Sequence, residues 1–267
     1  MFTGLTILGG SDKCGSPEPV REITINKGQI YSIVGFTGSG KSQLISDIEQ
    51  MAQGDTISKR RILFDGQRPD PQFRYNPERK LVAHLSQNMN FVIDMQVGEF
   101  LKLHTKCRGF ANYAIKASEI LACANIFAGE PIKPTDALTR LSGGQSRSLM
   151  IANVAINNTS PVILIDEIEN AGIDKVTALK TLTEHGKIVL LVTHDPVLAL
   201  YGTKRIVMQN GGMQKVINLT EEERIICATL KEMSDIFTDI QAALRLGQSL
   251  KLEAIKKKTL QGGACSA

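Results

Sequence analysis

One stretch constrains this chain more than any other: Gly35-Phe36-Thr37-Gly38-Ser39-Gly40-Lys41-Ser42, which fits G-x-x-x-x-G-K-[ST]. Directly before it, Ile30-Tyr31-Ser32-Ile33-Val34 is a short apolar run of the kind that forms a buried strand. Directly after it, Gln43 to Gln53 carries Leu44, Ile45, Ile48, Met51 and Ala52 at helical spacing. Strand, glycine-rich turn and helix start form the setting in which successive N–H groups converge on phosphate oxygens. A Cβ on Gly38 or Gly40 is expected to hinder that approach. The following helix aims its positive end at the same anion. Lys41 supplies a mobile charge for the outer phosphates, and the Ser42 hydroxyl is placed to ligate Mg²⁺. The stretch reads as a nucleoside-triphosphate site.

At 267 residues the chain has material for one large or two small domains with a real core. A net charge of +4 is mild and does not by itself point to a nucleic-acid or membrane surface. The five cysteines (Cys14, Cys107, Cys123, Cys227 and Cys265) are scattered, without the spacing of a metal cluster, and read as reduced thiols. No signal-peptide pattern and no long uninterrupted apolar run is present, so the expected location is cytoplasmic, with any membrane association peripheral.

Taken in order, Leu5–Leu8 and Val20–Ile25 read as strands around the turn-rich segment from Gly9 to Pro17. Arg61–Phe64 is a further strand, closed by Asp65-Gly66, and the proline-bearing segment from Gln67 to Lys80 is an exposed loop. Leu81 to Gln87 returns as a buried strand with a polar end. Val97 to about Phe127 then switches to helical periodicity, with Val97, Phe100, Leu101 and His104 on one face and Ala114, Ala117, Ile120, Leu121 and Ala124 on another. This is a helical insertion over about residues 95–140. Leu141-Ser142-Gly143-Gly144-Gln145 opens a helix running to about Asn157.

Two apolar runs follow, Pro161 to Glu167, ending in Asp166-Glu167, and Lys187 to His194, with a helix over about Lys175–Glu184 between them. Continuous apolar strands alternating with helices imply an α/β fold with a mostly parallel central sheet covered on both faces. Asn210-Gly211 marks a hairpin within Arg205–Ile217. Residues 218–267 form a helical extension, opened by the capping box Thr220-x-x-Glu223 and striped by Ile226, Leu230, Met233, Ile236, Phe237, Ile240 and Leu244. The simplest expectation for that stripe is a packing face.

The glycine-rich loop, Gln87 at a strand end, Leu-Ser-Gly-Gly-Gln, Asp166-Glu167 and His194 together resemble the ATP-binding cassette (ABC) ATPases over residues 1–217. The resemblance implies a P-loop NTPase fold of that type: an N-terminal antiparallel β subdomain, a helical subdomain and Mg²⁺-dependent ATP hydrolysis. It implies that the loop residues Gly35, Phe36, Thr37, Gly38, Ser39, Gly40, Lys41 and Ser42 hold the nucleotide. Ser42, Gln87 and Asp166 serve Mg²⁺, Glu167 acts on the attacking water, and His194 contacts the γ-phosphate. Two cassettes then pack head to tail, and Ser142, Gly143, Gly144, Gln145 and Asp174 of one complete the ATP site of the other. The expected partners are ATP, a second such chain forming a homodimer, and transmembrane subunits. A soluble ATPase that remodels a protein partner is the alternative, with nucleic acid the weaker choice of target.

Two departures stand out. The family places an aromatic ring upstream of the phosphate loop to stack on adenine, whereas Ser11-Asp12-Lys13-Cys14-Gly15 offers none. After Glu167 the chain reads Ile168-Glu169-Asn170-Ala171-Gly172-Ile173-Asp174, which brings Asp174 one position later than the family pattern.

Overall fold

The computed structural model describes residues 2–75, 80–86, 90–166 and 173–250. Two compact units divide the chain between Asn218 and Leu219.

In the first unit, β1 (Gly4–Leu8) pairs antiparallel with β2 (Glu22–Asn26) on one side and β4 (Arg61–Phe64) on the other. The turn after β4 is closed by Asp65 and Gly66, both at positive φ, and Phe64 exchanges backbone hydrogen bonds with Gln67 across it. The Asp65 carboxylate accepts from the Thr3 hydroxyl and from the Thr3 and Gly4 N–H groups, which holds its pKa below the usual carboxylate range.

The larger sheet runs β5-β6-β7-β3-β8-β9, where β3 is Ile30–Val34, β5 Val82–Leu85, β6 Val162–Asp166, β7 Ile188–Val192, β8 Lys204–Gln209 and β9 Gly212–Asn218. All pairs are parallel except the hairpin β8–β9. Alternation along the strands divides the interior into two cores. Tyr31, Ile33, Val162, Leu164, Ile188, Leu190 and Val192 face the antiparallel sheet and α1 (Lys41–Glu49). Ile163, Ile165, Val189 and Leu191 face the helices α3 (Val97–Cys107), α4 (Tyr113–Phe127), α5 (Gly143–Asn157), α6 (Lys175–Glu184) and α7 (Pro196–Tyr201). The near-continuous apolar runs follow from this: a parallel strand buried on both faces has no solvent side on which to place polar residues.

Two details differ from the periodicity. The helix after the phosphate loop ends at Glu49 rather than Gln53, because Met51 turns to φ 50°. Its N–H reaches Ile48 O while that of Ala52 reaches Asp47 O, a Schellman closure. A left-handed methionine is strained, and burial of Met51 and Ala52 against the core holds it there. The second detail lies between β4 and β5, where the expected loop contains the single helical turn α2 (Gln72–Tyr75), tied down by Arg74 on Asp55 and on Met51 O. Helices α3 and α4 cover the stretch read as helical, with Leu101, Ile120 and Ala124 fully buried, although Ala114 is exposed.

At the N-terminal edge of the sheet, the buried Lys187 ammonium donates to Asn158 O and Ser160 O, bracing the entries to β6 and β7. Burial, with Lys27 nearby, lowers its pKa from 10.5 to about 8. An unfolded chain binds this proton more tightly, so this group makes stability rise with pH between about 8 and 10.5. Urea unfolding of Lys187→Met across that window should lack this part of the slope. An unchanged slope would show that other groups set it.

In the second unit, α8 spans Glu221–Arg245. The expected capping box is present: Glu223 N–H donates to the Thr220 hydroxyl and Thr220 N–H to the Glu223 carboxylate. Along the stripe Leu230, Ile236 and Ile240 are half-buried, whereas Ile226, Met233, Phe237 and Leu244 are exposed. Among the described residues no helix is long and apolar enough to cross a membrane.

Candidate nucleotide-binding site

The sheet register gathers the sequence motifs on one edge. Val192 pairs with Asp166 on one side and with Ile33 on the other, so β6, β7 and β3 end level with one another. The phosphate loop leaves β3 just past that level, Asp166 is the last residue of β6, and His194 lies two residues beyond the end of β7. Leu85 pairs with Ile165, so β5 finishes on the same edge. Asp166 and the loop are therefore two strand spacings apart, about 10 Å. That edge, where the connections from β3 and from its neighbours diverge, is where open α/β sheets bind ligands. Gln87 and Glu167 lie outside the described residues.

Within the loop, Gly38 has φ 78°, and a Cβ built there meets nothing within 4 Å. Gly40 has φ 100°, and its Cβ would come 2.7 Å from Gly211 Cα. Gly40 is thus also required by its positive φ and by the β8–β9 turn packed behind the loop, reasons that add to the phosphate approach expected of it. Gly211 N–H donates to Ser39 O at 2.9 Å, fastening that turn to the loop. Lys41 is buried, and its ammonium donates to Gly35 O at 2.7 Å and Phe36 O at 3.2 Å. Phe36 itself is 91% exposed, and Thr37 and Ser42 are exposed beside it.

These residues fit a bound triphosphate. The Ser39 hydroxyl is buried and has no hydrogen-bond partner among the described residues. Gly38 is open toward solvent, and a lysine ammonium sits on weak carbonyl acceptors that a charged phosphate oxygen can replace. For Mg²⁺, the Ser42 hydroxyl and the Asp166 carboxylate are hard oxygen donors of the right kind.

The Leu-Ser-Gly-Gly-Gln motif starts α5. Ser142 is its N-cap: its hydroxyl accepts from Gln145 N–H at 3.2 Å, and Gln145 Oε1 accepts from Ser142 N–H at 3.0 Å. Gln145 Nε2 also donates to Pro131 O, tying the helix start to the end of the helical insertion. Ser142 and Gly143 are exposed, and Gly144 follows them in the first turn. Asp174 caps α6, accepting from Thr177 N–H at 3.1 Å and from its hydroxyl at 2.6 Å. The structure therefore engages Gln145 and Asp174, both expected at nucleotide, in their own helix starts.

Several contributors carry no local motif. Lys175 pairs with Asp195 at 2.8 Å, and Asp195 caps α7, so the starts of α6 and α7 are joined beside His194. Arg147 lines a small pocket with Leu85, Ser86, Met150, Ile151, Ile165 and Asp166. It sits one turn past the glycine pair on α5, a helical offset visible only once α5 is known to pack against β5, next to the end of β6.

A buried ionic cluster also backs the site. Arg60 Nη1 binds Asp47 of α1 at 2.8 Å, and its Nε and Nη2 bind Glu18, with Nη2 also reaching Gly211 O at 2.7 Å. All three charged side chains are fully buried.

A family model described as ABC transporter matches residues 21–170. An uncharacterized ABC transporter ATP-binding protein of Methanocaldococcus jannaschii is 56% identical over 251 residues, covering 94% of this chain and 96% of that protein. The methionine import ATP-binding protein MetN of Streptococcus agalactiae is 25% identical over 72% of this chain, which spans 56% of MetN's length. Among solved structures, cbiO1 from Clostridium perfringens, part of the ABC transporter complex cbiONQ, is similar in fold at a TM-score of 0.63. It is 21% identical, with 86% of this chain and 96% of that one covered.

Proposed function

We propose a function from one premise: this chain belongs to the ABC transporter family. It is an ATPase that energises a membrane transporter, hydrolysing ATP at two composite sites formed by head-to-tail cassettes. The observation that carries this reading is the convergence of the phosphate loop, Asp166 and His194 on one edge of the parallel sheet. The relatives' names, an ABC transporter ATP-binding protein and a methionine import ATP-binding protein, support the coupling to transport.

The site residues act as follows. The N–H groups of the loop and the start of α1 bind the phosphates, and Lys41 leaves the Gly35 and Phe36 carbonyls for them. Mg²⁺, when bound, offsets charge on the β- and γ-phosphates, and Ser42, Asp166 and Gln87 would hold it. Glu167 orients the attacking water and takes its proton. His194 donates to the γ-phosphate as negative charge spreads over it. Ser142, Gly143 and Gly144 of a second copy close the site; its exposed α5 start presents a helix N-terminus to that anion. ATP is then held between two chains, and its hydrolysis separates them. Transmembrane subunits read that cycle through the helical insertion, which places the chain on a membrane face.

Mixing two inactive variants tests the shared site. Lys41→Ala alone should lose most nucleotide affinity by calorimetry, and Ser142→Arg alone should bind ATP but turn it over slowly. A mixture should recover activity, because each heterodimer retains one composite site with both parts intact. A mixture no more active than its components would count against head-to-tail sharing.

A further inference from the structure

A second cation stands against the phosphate loop, outside the glycine-rich motif. Lys13 lies in the turn-rich segment between β1 and β2, and its Nζ donates to Gly38 O at 2.6 Å. Its backbone is fixed from several directions. Lys13 N–H donates to Asn210 O at 2.9 Å, and Asp12 N–H to Ser16 O at 2.8 Å. Asp12 Oδ1 accepts from Cys14 and Ser16 N–H, and the Asn210 amide reaches Asp12 Oδ2. A Cβ on Gly211 would lie 2.7 Å from Lys13 Cγ, so the β8–β9 turn is packed directly under this lysine.

The same segment is anchored at its far end by Glu18. That carboxylate accepts from Gly10 and Met213 N–H and is held by Arg60. The segment, the hairpin turn and α1 are thus joined through one buried cluster, and the Lys13 backbone cannot drift from the loop. Only its exposed four-carbon stem is free to rotate.

Lys13 and Lys41 both rest on carbonyls of this one loop, Gly38 for the first and Gly35 and Phe36 for the second. A carbonyl is a neutral acceptor, whereas a phosphate oxygen carries formal charge and binds an ammonium more strongly. We propose that Lys13 is a second nucleotide-binding lysine, whose ammonium transfers from the Gly38 carbonyl to the polyphosphate of a nucleoside triphosphate. This deepens the reading of the loop as a triphosphate site and rests on it. An ammonium on the polyphosphate reads charge and not the base, so its contribution is common to every triphosphate. Because the Lys13 backbone is fixed before binding, only the side chain remains to be ordered against the gain.

The test titrates the 267-residue chain with ATP, GTP and inorganic tripolyphosphate by calorimetry, for the native chain, Lys13→Ala, Lys13→Arg and Lys41→Ala. Lys13→Ala should weaken all three ligands by the same factor, about tenfold, as expected for one charge-assisted hydrogen bond. Its affinity should also depend less on salt, since one screened attraction is gone. Lys13→Arg should restore most of the loss, and the melting temperature of Lys13→Ala should match the native chain.

Unchanged affinities in Lys13→Ala would overturn the proposal. So would a loss confined to ATP with tripolyphosphate unaffected, or a loss that arginine does not restore. Native chain that binds no triphosphate, or Lys41→Ala that binds as well as native, removes the premise instead.

Discussion

Glu167→Gln should stop ATP turnover and leave ATP binding in place. In sequence Glu167 is the residue after Asp166, and Asp166 ends β6 level with β7 and β3, on the edge that carries the phosphate loop. A carboxylate can accept a proton from water; the amide is the same size but has no comparably basic oxygen to accept it. General-base assistance is worth on the order of 10²–10⁴ in rate, and that is the expected loss in kcat. Affinity for ATP should change little, because Lys41, the loop N–H groups and the α1 start remain. A chain that binds ATP without consuming it should collect as an ATP-bound dimer in sizing chromatography. Glu169 is the control, since it lies on the same segment and competes for the assignment. Full activity in Glu167→Gln, with activity lost in Glu169→Gln, would transfer the role.

The second large effect is on stability. Arg60→Met should destabilise the first unit by about 3–5 kcal/mol, because it leaves the buried Glu18 and Asp47 carboxylates without their cation. For a domain of this size that is a fall in melting temperature of roughly 6–20 °C. The neighbouring donors do not replace the guanidinium: Ser58 and Gln43 reach Asp47, and Gly10 and Met213 N–H reach Glu18, but none carries charge. Arg60→Lys keeps the charge but has a single ammonium in place of a fork that contacts Asp47, Glu18 and Gly211 O together, so it should be intermediate. Melting curves for the three chains check the order. An Arg60→Met chain as stable as native would show that the cluster contributes no net stabilisation.

The cluster also shows why part of the site was hidden in the sequence. Glu18, Asp47 and Arg60 are distant from one another along the chain, and each looks like an ordinary surface charge beside a turn or on a helix. Nothing in the local pattern marks Arg60 as fully buried. Lys13 is similar: its segment reads as a polar turn, and only the packing of the β8–β9 hairpin beneath it places its ammonium on Gly38. Lys175 and Asp195 meet because α6 and α7 start side by side, a fact of sheet order and not of spacing.

Gly40 gives the opposite lesson. The motif calls for glycine there on account of the phosphate, and the structure adds a cause that the motif does not contain, the close approach of Gly211. Asp174 and Gln145 were read from their place in motifs, while the structure shows each engaged at the start of its own helix. Helix α1 was read too long because Met51 fits the apolar stripe; burial in the core then turns that same residue out of the helix.

Sequence alone determined the main strands and helices and the phosphate loop, though not α2, α7 or the end of α1, because hydrophobic periodicity and glycine placement are local: each depends on neighbours within a few residues. It also determined the α/β class, since strands apolar on both faces require helices to cover them. The strand order β5-β6-β7-β3-β8-β9, the level ends that bring Asp166 and His194 beside the loop, and the charges buried behind it were decided only by tertiary structure. Those features depend on which distant segments pack together, and a buried ion pair is selected by the partner that folding delivers to it.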